Sequence, residues 1–381
     1  MSVPKASWVG AAERIEPRFW PSASGAVVFS PSWWTLNERT LKTDPLYLLL
    51  EEGGAPCALV PFMAVDDKSF EVYVPPKLLT MMLQDGPDPG AAAALASLPA
   101  QALVCTIPNG YESPLQAAPV AMLHHVAEEA EAEAARRGLS TVAFLFLGDS
   151  DGDALALLAE RGYHTTVLDA AGVIDVDPAW RDLDGYFRAM RRGKELRRER
   201  RHFENAGYHV EWHREPPAHV LAAAARLEAD LLQSKGHDFS VDELRSWYEE
   251  IPRRLGAKAV FITASRAGSI DAFVMCLDEG KRLVAMTTGF VRRDLLYFNI
   301  AYYEPVRYAL EHGIPELEIG LAAGDAKRAR GARGRRVFGA FRFVDTDVAA
   351  SWPRIKHALE RGYEAAWEAQ ASPASSKAPK P

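Results

Sequence analysis

Lys258-Ala-Val-Phe-Ile-Thr-Ala-Ser-Arg-Ala-Gly-Ser-Ile-Asp-Ala-Phe-Val-Met-Cys276 consists of two apolar runs on either side of Ala267-Gly268. Runs of this length around a glycine-containing turn read as a β-hairpin. A third strand over 283–288 extends it. Earlier in the chain, Tyr47-Leu-Leu-Leu-Glu-Glu-Gly-Gly-Ala-Pro-Cys-Ala-Leu-Val-Pro-Phe-Met63 has the same form and turns at Gly53-Gly54.

Each hairpin is followed by a helix, a glycine stop and a strand. In the first half a helix over 126–137 ends at Gly138, and Val142-Ala-Phe-Leu-Phe-Leu147 follows. In the second half a helix over 300–312 ends at Gly313, and Glu316-Leu-Glu-Ile-Gly320 follows. Glycine at these stops suits a left-handed C-cap. The repeated order predicts a duplicated α/β (α+β) unit, each copy a mixed, mostly antiparallel sheet flanked by helices.

The size agrees: 381 residues exceed one ordinary core, and the expected division is 1–175, 176–370 and a disordered tail over 371–381 rich in Ser, Pro and Lys. One long helix is predicted over 183–206, with further helices over 220–233, 241–255 and 353–369. A hydrophobic share of 48% and a charged share of 25% are those of a folded soluble protein. There is no basic-then-apolar leader and no membrane-length apolar run, so the reading is cytoplasmic, without membrane insertion. Cys57, Cys105 and Cys276 form no CxxC pair and read as isolated thiols.

The net charge of −7 hides two basic segments. Residues 188–202 carry eight Lys/Arg against two Glu, and residues 325–336 carry six against one Asp, so the remainder carries −18. An acidic body with two concentrated cationic segments points to a local site for an anionic partner. Within the first segment, Arg191, Arg192, Lys194, Arg197, Arg198 and Arg201 are the candidate phosphate contacts. Glu195 has Arg191, Arg192 and Arg198 within three or four residues, so a solvated face laced with ion pairs is the competing reading. The second segment combines glycines with cations, Arg330 among them, just after a strand. It reads as an anion-holding loop or as a flexible surface loop. No GxxxxGK[ST], GxSxG or Cys-His arrangement occurs. His209 and His213 sit on a strand without supporting ligands, so no metal site is expected.

In these segments the second half resembles a known family. Tyr186 through the Lys/Arg-dense stretch to Gly207 resembles the opening of the second GNAT module in Fem-like proteins. Asn299-Ile-Ala-Tyr-Tyr-Glu-Pro-Val-Arg-Tyr-Ala-Leu-Glu-His-Gly313 resembles their helix. Glu318-Ile-Gly320 with Lys327 and Arg330-Gly331 resembles their strand, lysine and glycine. The match spans roughly residues 160–345 and is nearest to the group of peptidoglycan biosynthesis or recognition proteins. Where relatives have Gly-Glu-His before the lysine, this chain has Gly324-Asp325-Ala326.

The resemblance implies tandem GNAT-like modules and transfer of an activated acyl group to an amine. The donor would be aminoacyl-tRNA, or acyl-CoA in the alternative. A non-catalytic GNAT-shaped binding module is the third reading. No tightly bound cofactor is expected, and the acceptor is a small-molecule or peptide amine. Attack by a neutral amine on an ester or thioester needs mainly positioning and a donor to the tetrahedral oxyanion. The resemblance casts Lys327 as that cation or as a phosphate anchor. It makes Glu304, Glu318 and Asp325 candidate proton acceptors, unranked, and Asn299, Tyr302 and Tyr303 candidate substrate contacts.

Overall fold

A computed structural model describes residues 4–21, 26–38, 43–83, 89–321 and 324–368, and the tail over 371–381 lies outside them. Among the described residues, twelve strands form one sheet: β1 Lys5–Val9, β2 Asp44–Glu52, β3 Ala55–Val65, β4 Ala102–Cys105, β5 Thr141–Gly148, β6 His164–Asp175, β7 His209–His213, β8 Ala259–Arg266, β9 Ser269–Asp278, β10 Arg282–Phe290, β11 Glu316–Glu318 and β12 Arg333–Phe343. Their order is β1-β2-β3-β4-β5-β12-β6-β11-β10-β9-β8-β7.

This order has an internal symmetry. Adding six to each strand of the first half, and subtracting six from each of the second, returns the same order read from the other edge. The strand senses obey it too. β4 runs parallel to β5 and β10 parallel to β11, while every other neighbouring pair is antiparallel. The axis passes between β6 and β12, so each half inserts its sixth strand between the fifth and sixth strands of the other. The mixed, mostly antiparallel α/β architecture expected from the repeated hairpins is therefore present, in interlocked form.

Local chemistry explains the elements. The two predicted hairpins are β2–β3 and β8–β9, and their turn residues Gly53, Gly54, Ala267 and Gly268 all have positive φ. Helices Leu123–Arg137 and Glu304–His312 end at Gly138 and Gly313, with φ of 68° and 65°. A side chain there would be strained against its own backbone, so glycine closes both helices.

The helix predicted over 183–206 is instead two helices, Leu183–Ala189 and Gly193–Asn205. Met190 between them is extended, with ψ of 141°. Its sulfur packs against Gly331, and Gly193 sits so close to the Phe187 carbonyl that no Cβ fits. Tertiary packing at two glycines thus overrides a run of good helix formers. The last predicted helix starts earlier, at Thr346, and closes with a π-turn over Glu364–Glu368.

Both sheet faces are covered. Helices Ala218–Ser234 and Val241–Leu255 share a core with Trp33, Trp34, Tyr47, Phe261 and Phe273, so the first-half helix Pro31–Glu38 packs on second-half helices. The opposite face of the second half buries Phe187, Leu196 and Phe203 with Ile300, Tyr303 and Tyr308.

The two parallel contacts end differently. β4 and β5 part after Cys105 and Phe144, and the space beyond is filled by buried Thr106, Ile107 and Phe146, with Tyr111 edge-on to Phe146 at 5.1 Å. β10 and β11 part after Val284 and Glu318. There residues 285–288 are all partly exposed, although they lie in mid-sheet. The second half therefore keeps an open gap.

Close packing beside this gap sets up a first expected outcome. A Cβ on Gly289 would meet the Leu227 main-chain carbonyl at 2.6–2.7 Å. Gly289→Ala should cost roughly 1–3 kcal/mol by overpacking, read as a lowered denaturation midpoint with an unchanged slope. Wild-type stability would refute the close approach.

Candidate active site

The cationic helix Gly193–Asn205 is amphipathic. Leu196 and Phe203 face the core. Lys194, Arg197, Arg198 and Arg201, three or four residues apart, share the outward stripe. Of the predicted pairs with Glu195, Arg192 alone makes one. Glu199 and Arg200 turn inward instead. Arg200 donates to Glu304 at 2.7 Å and to Glu204 at 2.8 Å. Glu199 accepts from Arg330 at 3.0 Å and from the Tyr303 hydroxyl. Among the described residues, Arg191, Lys194, Arg197, Arg198 and Arg201 make no ion pair.

Opposite this stripe stands the helix Arg293–Phe298, continued by a π-turn over Asn299–Tyr303. A π-turn widens the backbone and marks functional sites more often than chance. Between the two helices lies a cleft of about 580 Å³ lined by Arg198, Arg201, His202, Asn299 and Phe298, with Glu199 and Asp294 on its wall. Asn299 is 2% exposed. Its amide donates to the Leu295 carbonyl at 3.0 Å, while its Oδ1 has no hydrogen-bond partner among the described residues. A buried carbonyl oxygen without a donor costs free energy, so a ligand donor reaching it would be rewarded. Behind the cleft, the Arg330 guanidinium stacks on the Phe298 ring at 3.3 Å. Tyr302 hydrogen-bonds Tyr297 at 3.1 Å, and both predicted tyrosines are buried.

The second basic segment is not a loop of free cations. Its described part is a short helix, Gly324–Arg328, and the start of β12. Arg328 pairs with Asp325, Arg330 with Glu199, Arg333 with Asp175, Arg335 with Glu318 and Arg336 with Asp149. Four of the surplus of five cations read from the sequence pair with acids from other elements, and the fifth, Lys327, is buried on main-chain carbonyls. The anion-facing charge is therefore concentrated on the helix Gly193–Asn205.

The four candidate catalytic groups do not converge. Lys327 is 2% exposed and lies across Gly172, with Nζ donating at 2.6 Å to each of the Gly320 and Leu321 carbonyls. Burial lowers its pKa to about 8, against a smaller opposing pull from Asp169 and Glu318. Glu304 is fully buried and held by Arg200 and by Arg307 at 2.6 Å. Glu318 is pinned by Arg335 and by Arg282 at 3.3 Å, and burial raises its pKa. Asp325 is exposed beside Arg328. Arg198, Arg201 and Asn299 do meet at one cleft, and Arg330, Tyr302 and Tyr303 back it. His202, Asn205 and Phe298 also line it and went unread, although His202 and Asn205 follow Arg198 at helical spacing.

A family model named FemAB-like and described as peptidoglycan biosynthesis/recognition matches residues 113–375. No curated protein sequence matches the chain. The structure of L-PGS from Bacillus licheniformis is similar at 15% identity and a TM-score of 0.51, over 86% of this chain and 92% of that one. The crystal structure of FemX is similar at 10% identity and a TM-score of 0.50, over 83% and 92%. A tandem GNAT protein from the clavulanic acid biosynthesis pathway aligns at 13% identity and a TM-score of 0.46, over 90% and 99%. At these identities the first two likenesses concern the fold.

Proposed function

Because this chain belongs to the FemAB-like family and is an acyltransferase, we propose that it is an aminoacyl-tRNA-dependent aminoacyltransferase. It would form an amide bond on an amine acceptor, either a cell-wall precursor or a natural-product intermediate. The observation that carries the donor assignment is the contrast between the two basic segments. The arginines of one are paired with acids, while the other keeps five cations without an ion pair among the described residues, two of which, Arg198 and Arg201, line a cleft.

A tRNA end presents a run of phosphates, and Lys194, Arg197, Arg198 and Arg201 form a stripe along which such a run can lie. The acyl-adenosine end would enter the cleft, where Asn299 Oδ1 can accept a hydrogen bond and Asp294 or Glu199 can face the α-ammonium group. Attack by the neutral acceptor amine on the ester carbonyl then requires alignment more than strong acid–base chemistry. In this proposal Lys327 acts indirectly, by fixing the turn over Gly320 and Leu321 that follows β11.

The test is tRNA binding against salt for the wild type and Arg198→Glu/Arg201→Glu. Four phosphate contacts give a slope of about −3 for log affinity against log salt concentration, and the double variant should show about half of it with far weaker binding. Acyl release from aminoacyl-tRNA, with and without ribonuclease, should fall in parallel. Release that survives ribonuclease and proceeds with acyl-CoA alone would replace the tRNA reading with an acyl-CoA N-acyltransferase. Absence of transfer from either donor would leave the binding module.

A further inference from the structure

The open gap beyond Val284 has a carboxylate on its far side. Within β10, Ala285 opposes Cys276 and Thr287 opposes Met275, so Met286 is an extra residue. Bulges of this kind re-aim side chains and recur beside active sites. Here the bulge directs the Thr287 hydroxyl to the Glu228 carboxylate on the helix Ala218–Ser234. The other Glu228 oxygen accepts from the Tyr248 hydroxyl at 2.5 Å, from the helix Val241–Leu255. Three elements therefore hold one carboxylate in a fixed orientation, and the close approach at Gly289 fixes the helix that carries it.

Glu228 differs from the other inward-turned acids of this half. Glu304, Glu318 and Glu279 each face an arginine, as does Glu112 of the first half. Glu228 makes no ion pair among the described residues. Tyr248 is the titratable group that faces it, beside the neutral Thr287. Burial raises the pKa of Glu228, the two hydroxyls pull the other way, and Tyr248 is pushed well above its ordinary value, so it stays a neutral donor. A desolvated carboxylate without a cation, held where two strands part, is costly for stability and suited to taking a proton. Thr287, Met286 and Glu228 are all partly exposed residues beside the gap.

We propose that Glu228 is the proton acceptor for the attacking amine, with Thr287 and Tyr248 as positioning residues. This rests on acyl transfer taking place at the open gap and deepens the proposed function. The donor lies on the face of the arginine cleft, and the acceptor reaches the gap from the face of the helices Ala218–Ser234 and Val241–Leu255. The amine nitrogen bonds to the acyl carbon, and the carbonyl becomes a tetrahedral oxyanion. The proton on that nitrogen passes to Glu228. Collapse breaks the bond from acyl carbon to ester oxygen, and the leaving oxygen takes the proton back from Glu228, directly or through water. The products are one amide and one alcohol, with Glu228 returned to its carboxylate.

Glu228→Gln preserves the shape and is the decisive variant. Its kcat with aminoacyl-tRNA as donor and a peptidoglycan-precursor extract as acceptor should fall at least about 100-fold. Its tRNA affinity and donor KM should not change. In the wild type kcat should rise with pH as Glu228 loses its proton, and this limb should be absent from Glu228→Gln. Glu228→Asp should restore part of the rate. Independently of any substrate, infrared titration of the protein alone should show a carboxyl band, lost in Glu228→Gln, that ionises above the ordinary carboxylate range. Wild-type kcat in Glu228→Gln, or a Glu228 band ionising in the ordinary range, overturns the proposal. If tRNA does not bind and acyl-CoA supports transfer that needs Glu228, the donor reading falls and the proton acceptor stands.

Discussion

Lys327→Met should destabilise the protein by an amount that grows on the order of 3 kcal/mol between pH 7 and pH 10.5. Burial lowers the Lys327 pKa from 10.5 to about 8. Below pH 8 the side chain is charged in both the folded and unfolded states, and the folded state bears the cost of burying that charge. Between pH 8 and 10.5 the unfolded chain binds the proton and the folded chain does not, so wild-type stability rises with pH across this window. Each pKa unit is worth 1.36 kcal/mol, hence the estimate of about 3. A neutral amine still has two hydrogens, enough for the Gly320 and Leu321 carbonyls. Methionine removes the titration and leaves both carbonyls without their donor, at roughly 1–3 kcal/mol each. Chemical denaturation of both proteins at several pH values measures the difference. A difference that stays flat with pH would mean that Lys327 is not desolvated in the fold.

Glu304→Ala is expected to cost about 3–5 kcal/mol, the range for removing one partner of a buried ion pair. Glu304 is fully buried and links Arg200 of the cationic helix to Arg307 of its own helix. Its loss leaves two guanidinium groups facing each other across the helix contact. Glu304→Gln keeps a hydrogen-bond acceptor and should cost less. If Glu304 were instead a proton acceptor in the reaction, Glu304→Gln would be as inactive as Glu304→Ala while remaining stable. Denaturation midpoints set beside turnover per folded molecule separate the two roles, and proteolysis within 193–205 would report release of the helix.

Features encoded within a few residues were legible before the structure. The hairpins at Gly53-Gly54 and Ala267-Gly268, and the helix stops at Gly138 and Gly313, depend on local backbone needs that glycine satisfies. The helical spacing of Arg198 and Arg201 placed them on one face, and that face borders the cleft. What escaped depends on residues far apart in the chain. The break over 190–192 follows from the packing of Met190 on Gly331 and of Gly193 on Phe187. Charge counting left the second segment with a surplus because its partners Asp149, Asp175, Glu199 and Glu318 lie on other elements. Glu228 gave no signal at all, since its meaning comes from a strand irregularity and a tyrosine on the next helix.

The insertion of β12 between β5 and β6 bears on how the chain is made. A ribosome delivers β5 and β6 long before residues 333–343 emerge. Until then the apolar strand Thr141–Gly148 has β4 on one side and no native neighbour on the other. An uncovered apolar strand edge invites pairing with other chains. The nascent first half is thus expected to depend on chaperones until synthesis is nearly complete. A chain cut after β6 should aggregate, and a separately supplied second half carrying β12 should rescue it only when both are present during refolding.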